Sequence, residues 1–185
     1  MSYIDASVAA TIRWEGMVSW MYLDTIGIVT VGCGLALADT GVACSLPFQL
    51  QDGGLASEDV VVTDFHRVKA LAPGKRPGFY HSLASPVLSQ SDIKGLLRKR
   101  VVADDAILRT GLASWDAMPA AAKLALLDMD YNLGTGGLFR HHLPLIESVR
   151  AGNWTAAASQ CHRIGISDDR NDWTKKLFLT AAQVS

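Results

Sequence analysis

The sequence predicts an α+β fold that is mainly α, and three observations carry that expectation. Apolar residues Ile4, Val8 and Ile12 recur every four positions near the start, the spacing of one helix face. Between Met17 and Leu37 the pattern changes to short β-type runs punctuated by glycine. From Ser89 onward helical periodicity returns and continues almost to the end. At 185 residues the chain reads as one domain with two lobes.

The first helix, over about residues 2–15, has Ser2 and Asp5 at its start in capping-box spacing, and Gly16 to end it. Ile4, Val8 and Ile12, with Ala9, form its expected apolar face. Met21–Asp24 and Ile28–Val31 follow as strands of a small antiparallel sheet, separated by Thr25-Ile26-Gly27. Gly32 and Gly34 bracket Cys33 and suggest a bend or a close backbone approach. Asp39–Pro86 holds four of the six prolines and reads as a surface insertion rather than a second domain. Its one coherent run, Ser57–Leu71, is read as a short strand at Val60-Val61-Val62 leading into a helix.

Ser89 and Asp92 open a helix with Ile93, Leu96, Leu97, Val101 and Ile107 on its apolar side. Pro119 opens a helix that is apolar nearly all round, so it is expected to be central. Asp128 and Asp130 interrupt that character, and each needs a partner if buried. Gly134-Thr135-Gly136-Gly137 is expected to break this helix, and shorter helices are expected at about 139–151, 154–163 and 168–182.

Composition removes several classes. Hydrophobic residues are 49% and charged residues 19%, which excludes a disordered polymer. Seventeen Lys+Arg against eighteen Asp+Glu leave a net charge of −1 and no nucleic-acid patch. The run Lys94, Arg98, Lys99, Arg100 reads as a solvated helix face or as an attraction to an anionic wall. The uncharged stretch Thr25–Ala38 is only 14 residues, so no membrane insertion is expected. Asp5, Arg13 and Glu15 interrupt any signal-like apolar run. Synthesis in the cytoplasm without a signal peptide is therefore expected, with export by another route. Cys33, Cys44 and Cys161 lack a scaffold spacing; they are three ordinary thiols or include a Cys33–Cys44 bridge. His141-His142 and Cys161-His162 cannot form a ligand set without distant partners, so neither metal nor cofactor is expected.

The chemical signal lies near the first helix end. Glu15 falls in the final turn, where the helix carries partial negative charge, an environment that suits a general acid. Asp24 follows nine positions later on a hairpin and could act as a base, with the Thr30 hydroxyl six positions further on holding a water. The alternative is that Glu15 is a surface residue and Asp24 a turn former.

The stretch Glu15-Gly16, Tyr22-Leu23-Asp24 and Thr30-Val31-Gly32-Cys33-Gly34 resembles the phage-type lysozymes, glycoside hydrolase family 24. Ala125–Gly134, ending in Asn132-Leu133-Gly134, is similar to that family's hydrophobic helix, and Gly152-Asn153-Trp154 to its late helix. The likeness covers about residues 2–38 and 86–182; the insertion has no counterpart in short members. Leu35-Ala36 stand where the family has a histidine after Gly-x-Gly, and His141-His142 where a serine is common.

The resemblance implies a lysozyme-like two-lobed fold. It comprises a β lobe over about 15–86 including the insertion at 39–86, and a helical lobe over about 87–185 on which the N-terminal helix packs. It implies hydrolysis of the β-1,4 bond between N-acetylmuramic acid and N-acetylglucosamine in peptidoglycan, with inversion. Glu15 would protonate the leaving oxygen, and Asp24 with Thr30 would activate water. Tyr131, Asn132 and Gln160 would contact glycan, although Tyr131 reads equally well as core. Arg170 is the candidate for the late arginine that pairs with the catalytic glutamate, with Trp173 competing for that slot. No cofactor is implied. The expected partner of a monomer is the glycan strand, joined by a cognate immunity or inhibitor protein if the chain is a secreted type VI-like effector. A phage endolysin released by a holin is the other setting, with action in the periplasm or wall in both. A non-catalytic glycan-binding module on the same fold is the alternative function.

Overall fold

The computed structural model describes residues 2–184. In chain order the elements are α1 (Tyr3–Glu15), β1 (Val18–Leu23), β2 (Val29–Gly32), β3 (Leu35–Ala36), α2 (Thr40–Cys44), α3 (Glu58–Lys69) and α4 (Gln90–Gly111). They continue with α5 (Ala120–Leu133), α6 (Thr135–His141), α7 (Leu143–Arg150), α8 (Trp154–Gln160) and α9 (Asp168–Ala182). The architecture is α+β and mainly α, with one small antiparallel sheet. Two compact units divide the chain: Glu15–Leu97, and the residues through Trp14 together with those from Arg98 on.

The unit Glu15–Leu97 is built on the sheet, in the order β1-β2-β3. Tyr22 pairs with Thr30 and Leu23 with Val29, and an irregularity between Val18 and Tyr22 bends β1. Met21, Leu23, Val29 and Val31 are buried, and α3 packs on β1 and β2. Val61, Phe65 and Val68 repeat at helical spacing and form the buried face of α3. The strand expected at Val60-Val61-Val62 is therefore corrected to helix. A buried face that repeats at the helical period outweighs the β preference of three valines.

The reading of 39–86 as a surface insertion is also corrected. Phe48 and Tyr80 are 1% and 0% exposed, so the segment supplies core to its unit. Gln49 and Val87 exchange backbone hydrogen bonds of 2.7 and 2.8 Å, and Leu88 N–H donates to Ser19 in β1. The Tyr80 hydroxyl donates to the Ala72 carbonyl at 2.8 Å, and the Trp20 indole donates to the Pro77 carbonyl at 2.9 Å. No disulfide joins Cys33, Cys44 and Cys161.

The second unit is helical. Ser2 and Asp5 cap α1 as expected: the Ser2 hydroxyl donates to the Asp5 carboxylate at 2.7 Å and accepts the Asp5 amide at 3.1 Å. Its deepest residues are Ser7 and Thr11, while Ile4, Val8 and Ile12 are half-buried and Ala9 is exposed. Small side chains let this face approach its surroundings most closely. Along α4, Leu108 is buried and Ile107 is half exposed, which reverses the expectation for that turn. Asp104 and Asp105 share the buried face. Arg100 Nε holds Asp104 at 2.8–2.9 Å; Tyr3, Trp115 and Arg109 all donate to Asp105.

Helix α5 is buried from Ala125 to Asp130 and packs against α9. It stops at Gly134, whose φ of +69° is accessible to glycine at little cost. Only that residue breaks the helix, because Thr135 already starts α6. The single helix expected over 139–151 divides at His142, since Pro144 at the start of α7 cannot donate back into α6. Helix α8 ends at Gln160 rather than Arg163, which frees Arg163 to turn inward.

Asp128 receives two guanidinium groups. Arg163 donates to Oδ2 at 2.7 Å and to the Asp128 carbonyl at 3.1 Å, and Arg170 Nε donates to Oδ1 at 3.0 Å. Thr174 Oγ1 bridges Arg163 and Asp128 at 2.7 and 3.0 Å. All four side chains are nearly inaccessible to solvent. Replacing the anion would strand buried cations, which typically costs about 3–5 kcal/mol. Asp128→Asn is expected to lower the urea midpoint accordingly with an unchanged denaturant slope; a loss under about 1 kcal/mol would contradict the network's weight.

Asp130 is different. It is 0% exposed and neither carboxylate oxygen has a hydrogen-bond partner within bonding geometry. Burial pushes its pKa up to about 6, opposed by Thr135, reinforced by Asp104 and opposed again by Arg100. A carboxyl with a raised native pKa binds more protons folded than unfolded, so stability falls as pH rises from about 4 to about 6. Over that window the loss is roughly 3 kcal/mol. Asp130→Asn is expected to gain stability relative to the parent as pH climbs through this range. Parallel pH–stability curves would disprove it.

Candidate active site

Glu15, Asp24 and Thr30 all belong to the unit Glu15–Leu97. Glu15 is the last residue of α1 and is exposed; Gly16, with φ +73°, turns the chain directly into β1. Asp24 follows β1 at the start of the hairpin turn. Its Oδ1 accepts the Ile26 and Ile28 amides at 3.0 and 2.8 Å, and its own amide donates to the Ile28 carbonyl. This Asx geometry closes the turn with one carboxylate oxygen. Among the described residues no hydrogen bond engages Oδ2.

The segment 39–86 braces the same turn. Lys69 Nζ, at the end of α3, donates to the Gly27 carbonyl at 2.6 Å, and the Gly74 amide donates to the Asp24 carbonyl at 3.3 Å. Nothing in the spacing of Lys69 or Gly74 signals this, because the contact is made by tertiary folding.

Thr30 lies opposite Tyr22 on β2 and is 4% exposed. Its hydroxyl donates to the Ile28 carbonyl at 3.0 Å. With that proton committed, the hydroxyl has only lone pairs left to offer.

Tyr22 lies within the electrostatic reach of both carboxylates. Its phenol is pushed up to about 12, first by burial, then by the charges of Glu15, Cys33 and Asp24. Burial and the Glu15 charge also push the Cys33 thiol up to about 11. Both carboxylates thus act on one half-buried tyrosine, which places them in a shared electrostatic neighbourhood. Tyr22 was visible in the Tyr22-Leu23-Asp24 motif, and Cys33 between its two glycines, but neither spacing reveals this role.

Tyr131, Asn132 and Gln160 fall in the other unit. The Tyr131 ring lies under the Arg100 guanidinium at 5.4 Å and is half-buried; Asn132, beside it on α5, is exposed. Gln160 ends α8, where its side-chain carbonyl accepts the Ser148 hydroxyl at 2.9 Å. Arg170 is engaged by Asp128, and Trp173 packs against Trp14 with ring centroids 6.0 Å apart. Arg163, a lone arginine between Cys161-His162 and Ile164, carries no periodic signal in the sequence.

Among the described residues no group of three or more His, Cys, Asp or Glu is arranged to hold a metal ion. No helix among them is long and apolar enough to cross a membrane. No protein-family model matches the chain, and no curated protein matches it.

The shared neighbourhood is measurable. In a ¹³C-tyrosine NMR titration Tyr22 is expected to ionise near 12. Glu15→Gln should lower that value, and Asp24→Asn should lower it less. A Tyr22 titration insensitive to Glu15→Gln would separate the two residues.

Proposed function

We propose that this protein is a peptidoglycan hydrolase, a muramidase that cleaves the β-1,4 bond between N-acetylmuramic acid and N-acetylglucosamine. The observation that supports the reading is that Glu15, at the end of α1, and Asp24, in the hairpin turn, belong to one compact unit, and that the charges of both add to the rise of the Tyr22 pKa. Glu15, exposed at the end of α1, would protonate the leaving-group oxygen. Asp24 is oriented by two backbone amides through Oδ1, which leaves Oδ2 to take a proton from the attacking water. Thr30 lone pairs would steady that water. With water between the carboxylates the reaction inverts the anomeric centre.

The glycan-contacting roles of Tyr131, Asn132 and Gln160, and any role of Arg170 toward Glu15, rest on the family resemblance alone. So do the setting, endolysin or secreted effector, and the site of action in the periplasm or cell wall.

One observation favours a second reading. The Asp24 Oδ1 and the Thr30 hydroxyl proton are both committed to the hairpin, as they would be in a glycan-binding module without catalysis. Lysis of outer-membrane-permeabilised Gram-negative cells separates the two. Glu15→Gln and Asp24→Asn are each expected to reduce the lytic rate by roughly 10²-fold or more while circular dichroism stays native. Sacculus binding with no lysis by the parent protein would favour the module.

A further inference from the structure

Residues 72–76, after α3, are exposed and form neither helix nor strand, a kind of segment that usually belongs to the low-stability end of a fold. Here one buried side chain reaches two of its backbone groups. Tyr80 is fully buried, and its hydroxyl donates to the Ala72 carbonyl at 2.8 Å while accepting the Lys75 amide at 3.2 Å. The hydroxyl thus spends its one proton and a lone pair on the backbone of this loop. Tyr80 is itself fixed from two sides. Its carbonyl accepts Arg67 Nη2 of α3 at 2.8 Å, and its amide donates to the Pro77 carbonyl, which also takes the Trp20 indole of β1.

The loop so held lies against the Asp24 turn. The Gly74 amide donates to the Asp24 carbonyl at 3.3 Å, and Pro73 Cβ is 3.8 Å from where a Cβ on Gly27 would stand. From the end of α3, Lys69 Nζ donates to the Gly27 carbonyl at 2.6 Å. The turn is therefore anchored from outside at its first residue and at Gly27. From inside it is closed by the Ile26 and Ile28 amides on Asp24 Oδ1. Because the carboxylate is bonded to the backbone of its own turn, a shift of that backbone between Asp24 and Ile28 re-aims the carboxylate.

We propose that Tyr80 and Lys69 are positioning residues for the Asp24 carboxylate, Tyr80 by fixing residues 72–75 against the turn and Lys69 by holding its Gly27 carbonyl. Both act through backbone groups and neither takes or gives a proton in the reaction. The inference rests on the hydrolase reading of Asp24 and gives the segment 39–86 a part in that chemistry.

The full-length parent is compared with Tyr80→Phe, Lys69→Met and Lys69→Arg on solubilised peptidoglycan strands. Tyr80→Phe keeps the ring and removes both loop hydrogen bonds. It is expected to lower kcat roughly tenfold, and Lys69→Met roughly fivefold, with KM within about twofold of the parent, because a misplaced reacting group costs rate rather than binding. Lys69→Arg keeps a charged donor and should hold kcat to within about twofold of the parent. In an Asp24→Asn background the Tyr80 and Lys69 substitutions should leave the residual kcat unchanged, since they act through that carboxylate. Amide hydrogen exchange at Ile28 should quicken roughly tenfold in Tyr80→Phe and in Lys69→Met, a readout that needs no activity. An undiminished kcat in both variants of an active parent, a loss confined to KM, or an equal loss in the Asp24→Asn background would overturn the proposal. Unchanged exchange at Ile28 would overturn it as well. If Tyr80→Phe does not fold, the two Lys69 variants decide. A parent that cleaves no glycan overturns the hydrolase reading and the catalytic part of this inference with it; the exchange rates then decide alone whether Tyr80 and Lys69 hold the turn.

Discussion

The helical unit depends on a charge that cannot be left alone. Asp128 sits in the middle of α5, where every neighbouring position is buried, and it would be a severe liability without partners. Arg163 and Arg170 supply them from two separate places, the loop after α8 and the first turn of α9. Thr174 and Asn171 complete the arrangement: Asn171 exchanges two hydrogen bonds with the Arg163 backbone, at 3.0 and 2.9 Å. One carboxylate thereby ties α5, α9 and an irregular segment into a single geometry. An apolar residue could pack as well, but it would not specify which loop conformation returns to the helix.

Asp130, two residues further on, shows what the same helix costs where no arginine arrives. Its burial is equal to or deeper than that of Asp128, yet its carboxylate is surrounded by Asp104, Arg100 and Thr135 without a hydrogen bond of good geometry. The helical unit therefore contains one aspartate that organises structure and another that opposes it near neutral pH.

In the sheet unit the constraint is the hairpin turn. Asp24 closes it with one oxygen, and α3 and the following loop hold it from outside through Lys69 and Gly74. A residue that must present a second oxygen in a fixed direction benefits from having the first one clamped. The same clamp explains why a structural and a chemical reading of Asp24 are compatible. The segment 39–86 belongs to this support, because its Phe48, Phe65 and Tyr80 are core and its α3 backs the sheet.

Much of the local structure was legible. The caps at Ser2 and Ser89, the bounds of α9, the central position of α5 and the strands flanking Thr25-Ile26-Gly27 all follow from short-range hydrogen bonding and periodicity. Glu15 and Asp24 fall where the sequence places them, at a helix end and in a hairpin turn. Other features were decided only by tertiary structure. Val60–Val62 became helix because one face of α3 found a core, and Ser7 and Thr11 became the deepest residues of α1 because small side chains permit close approach. Arg163 became a buried ion because a carboxylate on a distant helix required it. Local sequence determines where a chain can turn, cap and alternate, since those energies involve residues a few positions apart. Which charges are buried, and which partner satisfies them, depends on desolvation and on contacts between residues such as Asp128 and Arg163, 35 positions apart, that only the folded chain brings together.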